Sequence, residues 1–289
     1  MPEALLAMEL DAAAATLARV GVSEPRREAA ALWGACTDIS AGEAWLRRDR
    51  PAPPDSLGRF RGAVQRRAGG EPFAYAVGQV TFRTVSLALD RRALIPRPET
   101  EGLVGHVLQW AEQRERGRGI VADIGTGSGC IALALAVEGR FERVIAVDSS
   151  VAAAALAVEN VKRVRPRVPV EVRVGNLLEP LGGERCRAIV ANPPYLTDLE
   201  WEELDPAVRD FEPRDALASG PDGLSATREL LHHAGRALEP GGLLALEVDE
   251  RRAEAVQALA LTAGWPRLDI HRDLFGRPRY ALACSSEDA

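Results

Sequence analysis

Val121-Ala122-Asp123-Ile124-Gly125-Thr126-Gly127-Ser128-Gly129-Cys130-Ile131 runs from a short apolar segment, through three alternating glycines, into an alanine- and leucine-rich stretch. The apolar segment has the length of a buried strand, and the stretch beyond the glycines has the composition of a helix. A glycine turn between the two lets backbone approach a ligand closely and aims the helix N-terminus at it. The spacing is G-x-G-x-G, not the G-x-G-x-x-G of dinucleotide binders, and Asp123 stands before the turn, where it repels a pyrophosphate. A carboxylate there suits a ligand that carries an ammonium group.

Outward from this turn the chain alternates strands and helices. A strand from Val144 to Asp148, a helix through Val164 and a strand from Val170 to Val174 are followed by the nearly all-apolar runs Ala188 to Ala191 and Leu243 to Val248. Such runs suit strands buried on both faces of a doubly wound, mostly parallel α/β sheet with helical crossovers. The last pair, Leu268 to Ile270 and Tyr280 to Cys284, is separated by the turn-like Phe275-Gly276-Arg277-Pro278, which predicts an antiparallel edge pair. On the N-terminal side, Val80, Phe82, Val85, Leu87 and Leu89 sit in alternating runs, as in a β-hairpin. From Ala4 to about Ala68 the pattern is helical: Leu5, Leu6, Leu10, Leu17 and Val20 recur at three- and four-residue steps, as do Ala29, Leu32, Trp33 and Cys36. Val22-Ser23-Glu24-Pro25 predicts a helix start with Ser23 as N-cap, and another helix spans Asp55 to Ala68. The expected organisation is a small all-α domain over 1–70, a β-hairpin linker over 71–95 and the α/β domain over 96–289.

Two further signals carry chemistry. Asp148 ends the second strand of the sheet, about 20 residues past the glycine turn, where an acidic side chain accepts from both hydroxyls of a ribose. Ser149 or Ser150 is available to cap the next helix in its place. Ile189-Val190-Ala191-Asn192-Pro193-Pro194-Tyr195 then delivers Asn192 to the carboxyl edge of the sheet, where open α/β folds gather their ligands, and two prolines stiffen the loop beyond it. Asn192 and the Pro193 carbonyl offer two acceptors and Tyr195 a flat face, which together suit a planar group bearing an NH2. With both hydrogens occupied, the nitrogen lone pair points out of the plane, toward a methyl donor.

The chain has 289 residues, of which 46% are hydrophobic, 27% charged and 5% aromatic, an ordinary globular balance. The formal net charge of -6 argues against a nucleic-acid binder, which needs a basic surplus to neutralise phosphates. Cys36, Cys130, Cys186 and Cys284 lie far apart, without the paired spacing of a zinc site or a disulfide framework, so no metal is expected and a reducing cytoplasm fits. No apolar run reaches the roughly 18 residues of a membrane span. The N-terminal stretch carries Glu3, Glu9 and Asp11 where a signal peptide is basic and then apolar, so it reads as a mature amphipathic helix.

These motifs resemble the class I S-adenosylmethionine-dependent methyltransferases, and Asn-Pro-Pro-Tyr narrows the likeness to those that methylate an amide or exocyclic amine nitrogen. Glu71-Pro72-Phe73-Ala74-Tyr75, Leu94 through Glu101, Phe211 through Leu217, Asp222-Gly223-Leu224 and Pro240-Gly241-Gly242 are similar to the signature of the release-factor glutamine methyltransferases. The resemblance implies a seven-stranded methyltransferase sheet, S-adenosyl-L-methionine as cofactor, and as substrate the Gly-Gly-Gln glutamine of class 1 peptide chain release factors, methylated on N5. It implies that Asp123, Gly125, Thr126, Gly127, Ser128, Gly129 and Asp148 hold the cofactor, with Asn176, Leu177 and Asn192 beside it. Asn192, Pro193, Pro194 and Tyr195 hold the glutamine, and Asn192, Pro193 and Tyr195 serve catalysis. The Pro96 to Glu101 segment walls the cofactor site, and the helical domain recognises the substrate. The chain departs from the family pattern at Asn176, Arg187, Asp249 and Arg252. A monomer without direct nucleic-acid contact is expected.

Other residues read as structural. His232-His233 fall in a helical stretch with Leu230, Leu231 and Leu238, which predicts one histidine inward and one outward. His106 and His271 have no acidic or cysteine partner nearby in sequence, Cys130 reads as packing, and the Arg59 to Arg67 cluster as a solvated helix face. Two other activities share parts of the pattern. An amino methyltransferase of adenine or guanine uses the same Asn-Pro-Pro-Tyr chemistry but lacks its basic domain here, and a nicotinamide oxidoreductase shares the sheet and Asp148 but leaves that motif unexplained.

Overall fold

The protein is described by a computed structural model covering residues 5–114 and 118–286; Glu3 and Ala4 lie outside them. By contact it divides into two units, Met1–Gln79 with Pro206–Phe211, and Val80–Asp205 with Glu212–Ala289.

The first unit holds α1 (Leu6–Arg19), α2 (Pro25–Thr37), α3 (Ala41–Leu46), α4 (Pro54–Ala68) and α5 (Phe73–Val77). The three- and four-residue spacing of Leu6, Leu10, Leu17, Leu32 and Trp33 turns them into one core, where Phe60 meets Trp33 edge-on with centroids 5.2 Å apart. Phe60 is therefore core, and three arginines of the cluster are committed: Arg61 to Glu9, Arg67 to Glu28, and Arg66 to the Ala76 carbonyl. Pro25 stands in the first turn of α2 as expected, but the capping position is Glu24, not Ser23, and no side chain caps there. Proline at the first helical position presets the helical backbone without a capping side chain.

The boundary between the units falls at the start of a hairpin, β1 (Gln79–Phe82) and β2 (Val85–Ala88), which belongs to the second unit from Val80 onward. Arg83 at its turn ties it down, pairing with Glu138 at 2.6 Å and donating to the Glu101 carbonyl at 2.8 Å. There follow α6 (Pro98–Glu112), β3 (Ile120–Ile124), α7 (Cys130–Glu138), β4 (Arg143–Asp148), α8 (Val151–Val164), β5 (Val170–Val174), β6 (Cys186–Ala191) and α9 (Asp198–Glu202). After α10 (Pro206–Arg209), which belongs to the first unit, come α11 (Ser225–Ala237), β7 (Leu238–Glu247), α12 (Ala253–Thr262), β8 (Asp269–Arg272) and β9 (Pro278–Cys284).

The sheet has seven strands in the order β5-β4-β3-β6-β7-β9-β8; β9 runs antiparallel to both neighbours, and the other pairings are parallel. Alternate residues enter opposite cores: Val121, Val144 and Val190 pack with α6 and α7, while Ala122, Ile145 and Ile189 pack with α11 and α12. Burial on both faces is why these strands read as continuous apolar runs. The chain leaves β3 toward β4 and β5, then returns to its other side as β6. Such a reversal opens a crevice at the carboxyl ends of the strands. Among the described residues no helix is long and apolar enough to cross a membrane, and no cluster of three or more His, Cys, Asp or Glu is placed to hold a metal.

Candidate active site

The glycine turn after β3 is pinned by its backbone. Gly125 and Thr126 both donate to the Val147 carbonyl at 2.9 Å, and the Gly127 N–H donates to Asp148 Oδ2 at 2.8 Å. Asp148 Oδ1 accepts from the Ser150 N–H at 2.9 Å, while Ser150 itself caps α8. Asp148 is thus spared the capping role and oriented at the strand end.

Turn and strand ends border a cavity of about 660 Å³, within the range of small-molecule sites. Its wall takes Gly125, Thr126, Gly127 and Ser128 from the turn, Asp148 after β4, Asn176 and Leu177 after β5, and Asn192 and Pro194 after β6. Pro96, Arg97 and Thr100 close one side. Asp123, Gly129, Pro193 and Tyr195 fall outside this lining. Gly129 has φ +83°, a left-handed conformation that favours glycine, at the position that caps α7. Tyr195 donates its N–H to the Leu217 carbonyl at 3.0 Å, and burial pushes its hydroxyl pKa up.

Asp123 differs most from its expected place. It is fully buried, and its Oδ2 accepts from Thr126 Oγ1 at 2.6 Å and from the Ala132 N–H at 3.0 Å, so this oxygen braces the turn against α7. Burial pushes its pKa up to about 7, against the pull of those two hydrogen bonds. Between pH 4 and 7 the native state then holds a proton that the unfolded state has lost, so this group's contribution makes stability fall as pH rises through that window. An Asp123→Asn variant is expected to show a shallower fall, with a difference of up to about 4 kcal/mol across the window. Urea unfolding at pH 5 and pH 8 checks it; equal slopes for variant and parent would refute the reading.

Several contacts at the site carried no signal in sequence, even where the segment itself did. Asn160, fully buried on α8, accepts from the Ala88 N–H at 2.7 Å and donates to the Ala88 carbonyl at 3.0 Å and the Ser128 carbonyl at 2.9 Å. It clamps the glycine turn to the hairpin. Asn160→Leu strands three backbone groups, one buried and two partly buried, and is expected to cost about 3 kcal/mol, read from the denaturation midpoint. Glu212, 5% exposed, pairs with Arg97 at 2.7 Å and accepts from the Ile95 N–H at 3.2 Å, which fixes the segment beside the cavity. Thr100 donates to Glu247 at 2.7 Å and accepts from Asn192 Nδ2 at 3.2 Å. Burial pushes Glu247 up to about 7.

Three of the departures from the family pattern have local partners, while Asn176 lines the cavity. The Arg187 guanidinium lies 5.1 Å from the Trp110 ring centre and donates to the Pro240 carbonyl. Asp249 pairs with Arg251 at 2.9 Å, and Glu200 bridges Arg251 and Arg252, tying α9 to the segment after β7. Both His232 and His233 are exposed, because Thr227, Leu230, Leu231 and Ala234 already fill the inner face of α11; the expectation of one inward histidine is corrected. His106 and His271 come together with ring centres 4.8 Å apart, which their distance in sequence concealed. Cys130 is buried and its thiol is pushed up to about 12, as packing requires.

Two features fit a polar ligand laid across the turn. Among the described residues the buried Ser128 Oγ has no partner, and a Cβ on Gly125 would meet nothing within 4 Å. A sequence from Moorella thermoacetica called release factor glutamine methyltransferase is 39% identical over 284 residues, covering 98% of this chain and 99% of its own. The chain belongs to the release factor glutamine methyltransferase family. A relative of the same name from Deinococcus radiodurans is 38% identical over 274 residues, covering 95% of this chain and 96% of its own. Family models match at residues 10–78, as the PrmC N-terminal domain, and at 106–207, as the methyltransferase small domain. The chain is similar in fold to the hMettl16 catalytic domain solved with a MAT2A 3'UTR hairpin (TM-score 0.54, 16% identity, 83% of this chain and 85% of that one). It also resembles the T. thermophilus 16S rRNA methyltransferase RsmC in complex with AdoMet and guanosine (TM-score 0.51, 15% identity, 72% and 49%). As in this family of methyltransferases, the cofactor is S-adenosylmethionine.

Proposed function

We propose that this enzyme methylates N5, the side-chain amide nitrogen, of the Gly-Gly-Gln glutamine in class 1 peptide chain release factors. The observation that carries the reading is that Asn192, the acceptor set at the end of β6, lines the same cavity as the glycine turn and Asp148. Relatives that match nearly the full chain carry the name release factor glutamine methyltransferase. In this reading the Gly125 to Ser128 turn, Asp148, Asn176 and Leu177 hold the cofactor, with Asp123 and Gly129 supporting the turn from behind. Bound there, S-adenosylmethionine supplies an electrophilic methyl group.

An amide nitrogen is a weak nucleophile because its lone pair is delocalised into the carbonyl, so the protein's task is placement. Asn192 Oδ1 and the carbonyl of Pro193, which lies between the lining residues Asn192 and Pro194, each accept one amide hydrogen, Pro194 stiffens the loop, and Tyr195, outside the lining before the glutamine enters, packs on the amide plane. Holding the nitrogen in line contributes on the order of 7 to 11 kcal/mol through avoided orientation cost. The same two acceptors stabilise positive charge growing on nitrogen. No dedicated base is required, since the alkylated amide is acidic enough to lose its proton afterwards. The helical unit, residues 1–70 in sequence terms and joined through the 71–95 hairpin stretch, supplies substrate recognition to the 96–289 catalytic domain. The enzyme works as a cytoplasmic monomer without direct nucleic-acid contact, consistent with the commitment of Arg61, Arg66 and Arg67 on α4 to protein partners.

Mass spectrometry of an unmethylated class 1 release factor incubated with the enzyme and S-adenosylmethionine tests the proposal. One added methyl group on the Gly-Gly-Gln glutamine is expected. An unmodified factor, under conditions where cofactor binding is intact, would overturn it.

A further inference from the structure

Thr100 sits in the first turn of α6 and Glu247 at the end of β7, and both are buried, at 2% and 3% exposure. Thr100 gives its hydroxyl hydrogen to Glu247 Oε2 at 2.7 Å, and its oxygen accepts from Asn192 Nδ2 at 3.2 Å. A hydroxyl has one hydrogen, and an ionised carboxylate, as Glu247 is above about pH 7, only accepts. With that hydrogen committed to Glu247, Thr100 presents only lone pairs to Asn192, so the asparagine must turn its NH2 toward Thr100. Its Oδ1 is then left for the cavity that Asn192 lines.

We propose that Thr100 and Glu247 are positioning residues that lock the Asn192 amide one way round, so that the site selects a side-chain amide and rejects the carboxylate of the same shape. Glutamine and glutamate differ at this point only in NH2 against O. A flipped Asn192 offers a donor and welcomes glutamate; the locked one offers an acceptor and repels it. The choice of glutamine rests on the function proposed above, whereas the lock itself does not.

Two measurements test the lock separately from the substrate. Without substrate, the Asn192 side-chain NH2 is followed by proton–nitrogen NMR in the full-length enzyme. Slow hydrogen exchange is expected in the parent and in Thr100→Ser, with protection lost in Thr100→Val. An unprotected NH2 in the parent would overturn the proposal, whatever the enzyme methylates. With substrate, affinities are compared for a release factor carrying Gly-Gly-Gln and one carrying Gly-Gly-Glu. Thr100→Val is expected to shrink the parent's preference for glutamine by about tenfold or more, as loss of one charge-linked hydrogen bond allows, and Thr100→Ser to preserve it. A merely structural role weakens both substrates alike, and an unchanged ratio would refute the lock. Glu247→Met frees the Thr100 hydrogen to turn toward Asn192 and serves where Thr100→Val does not fold. If the parent binds neither factor, the proposed substrate falls while the NMR arm still judges the lock.

Discussion

An Asn192→Ala variant is expected to transfer methyl groups about 10²- to 10³-fold more slowly than the parent, the usual cost of deleting one preorganised group that meets developing charge. The loss is one of position. Asn192 follows β6, a strand in which every residue is buried, so its backbone cannot drift, and its side chain is braced by Thr100. Alanine removes the acceptor without replacing it and leaves the substrate amide free to rotate about its remaining contact. Stability should change little, because Asn192 is only partly buried and Thr100 keeps its bond to Glu247. Cofactor affinity should stay near the parent's, since the glycine turn and Asp148 are held by their own backbone bonds. Single-turnover methylation beside calorimetric titration of the cofactor separates the two effects. A variant with parental kcat would remove Asn192 from the chemistry.

Gly223→Ala should damage both stability and catalysis, although the residue touches no ligand. Gly223 has φ +71°, and a Cβ there would lie 2.2 Å from the Tyr195 carbonyl oxygen and 2.8 Å from Arg252 Nε. The first obstacle is backbone, so the loop beyond Asn192 must move. The left-handed conformation adds about 1 to 3 kcal/mol for a residue with a side chain. A shift of the order of 1 Å in a positioning site lowers turnover about 10²-fold. Gly264 offers the control: its φ is +88°, but a Cβ there meets nothing within 4 Å, so Gly264→Ala carries the backbone cost alone. Thermal melts and kcat for the two variants are the check. Equal kcat values would show that Tyr195 and its neighbours tolerate the displacement.

The strands were legible because burial on both faces leaves an uninterrupted apolar run, as in Ala188 to Ala191, and the glycine turn because its spacing is local. Asn192 was legible for the same reason, since it comes directly after such a run. The hidden features depend on pairs distant in sequence. Asn160 looks like an ordinary polar residue on a helix, and its partner Ala88 lies 72 positions away. Thr100 and Glu247 are 147 positions apart. The orientation of Asp123 was also hidden, because a residue's place at a strand end does not say which way its oxygens point. The return of Pro206–Phe211 to the helical unit, where Phe211 approaches the position a Gly70 side chain would take, has no periodic signature.

The order of strands about β3 also separates two inheritances. In the proposed reading the residues that hold the methyl donor come after β3, β4 and β5, on one side of the reversal, while Asn192 and Pro194, with Asp215, Ser219 and Glu229, line the cavity from a single excursion between β6 and β7 on the other. Each half keeps its own strands and its own anchoring bonds. Remodelling the excursion alone would give the same donor a new acceptor, so the fold can change customers without learning a new trade.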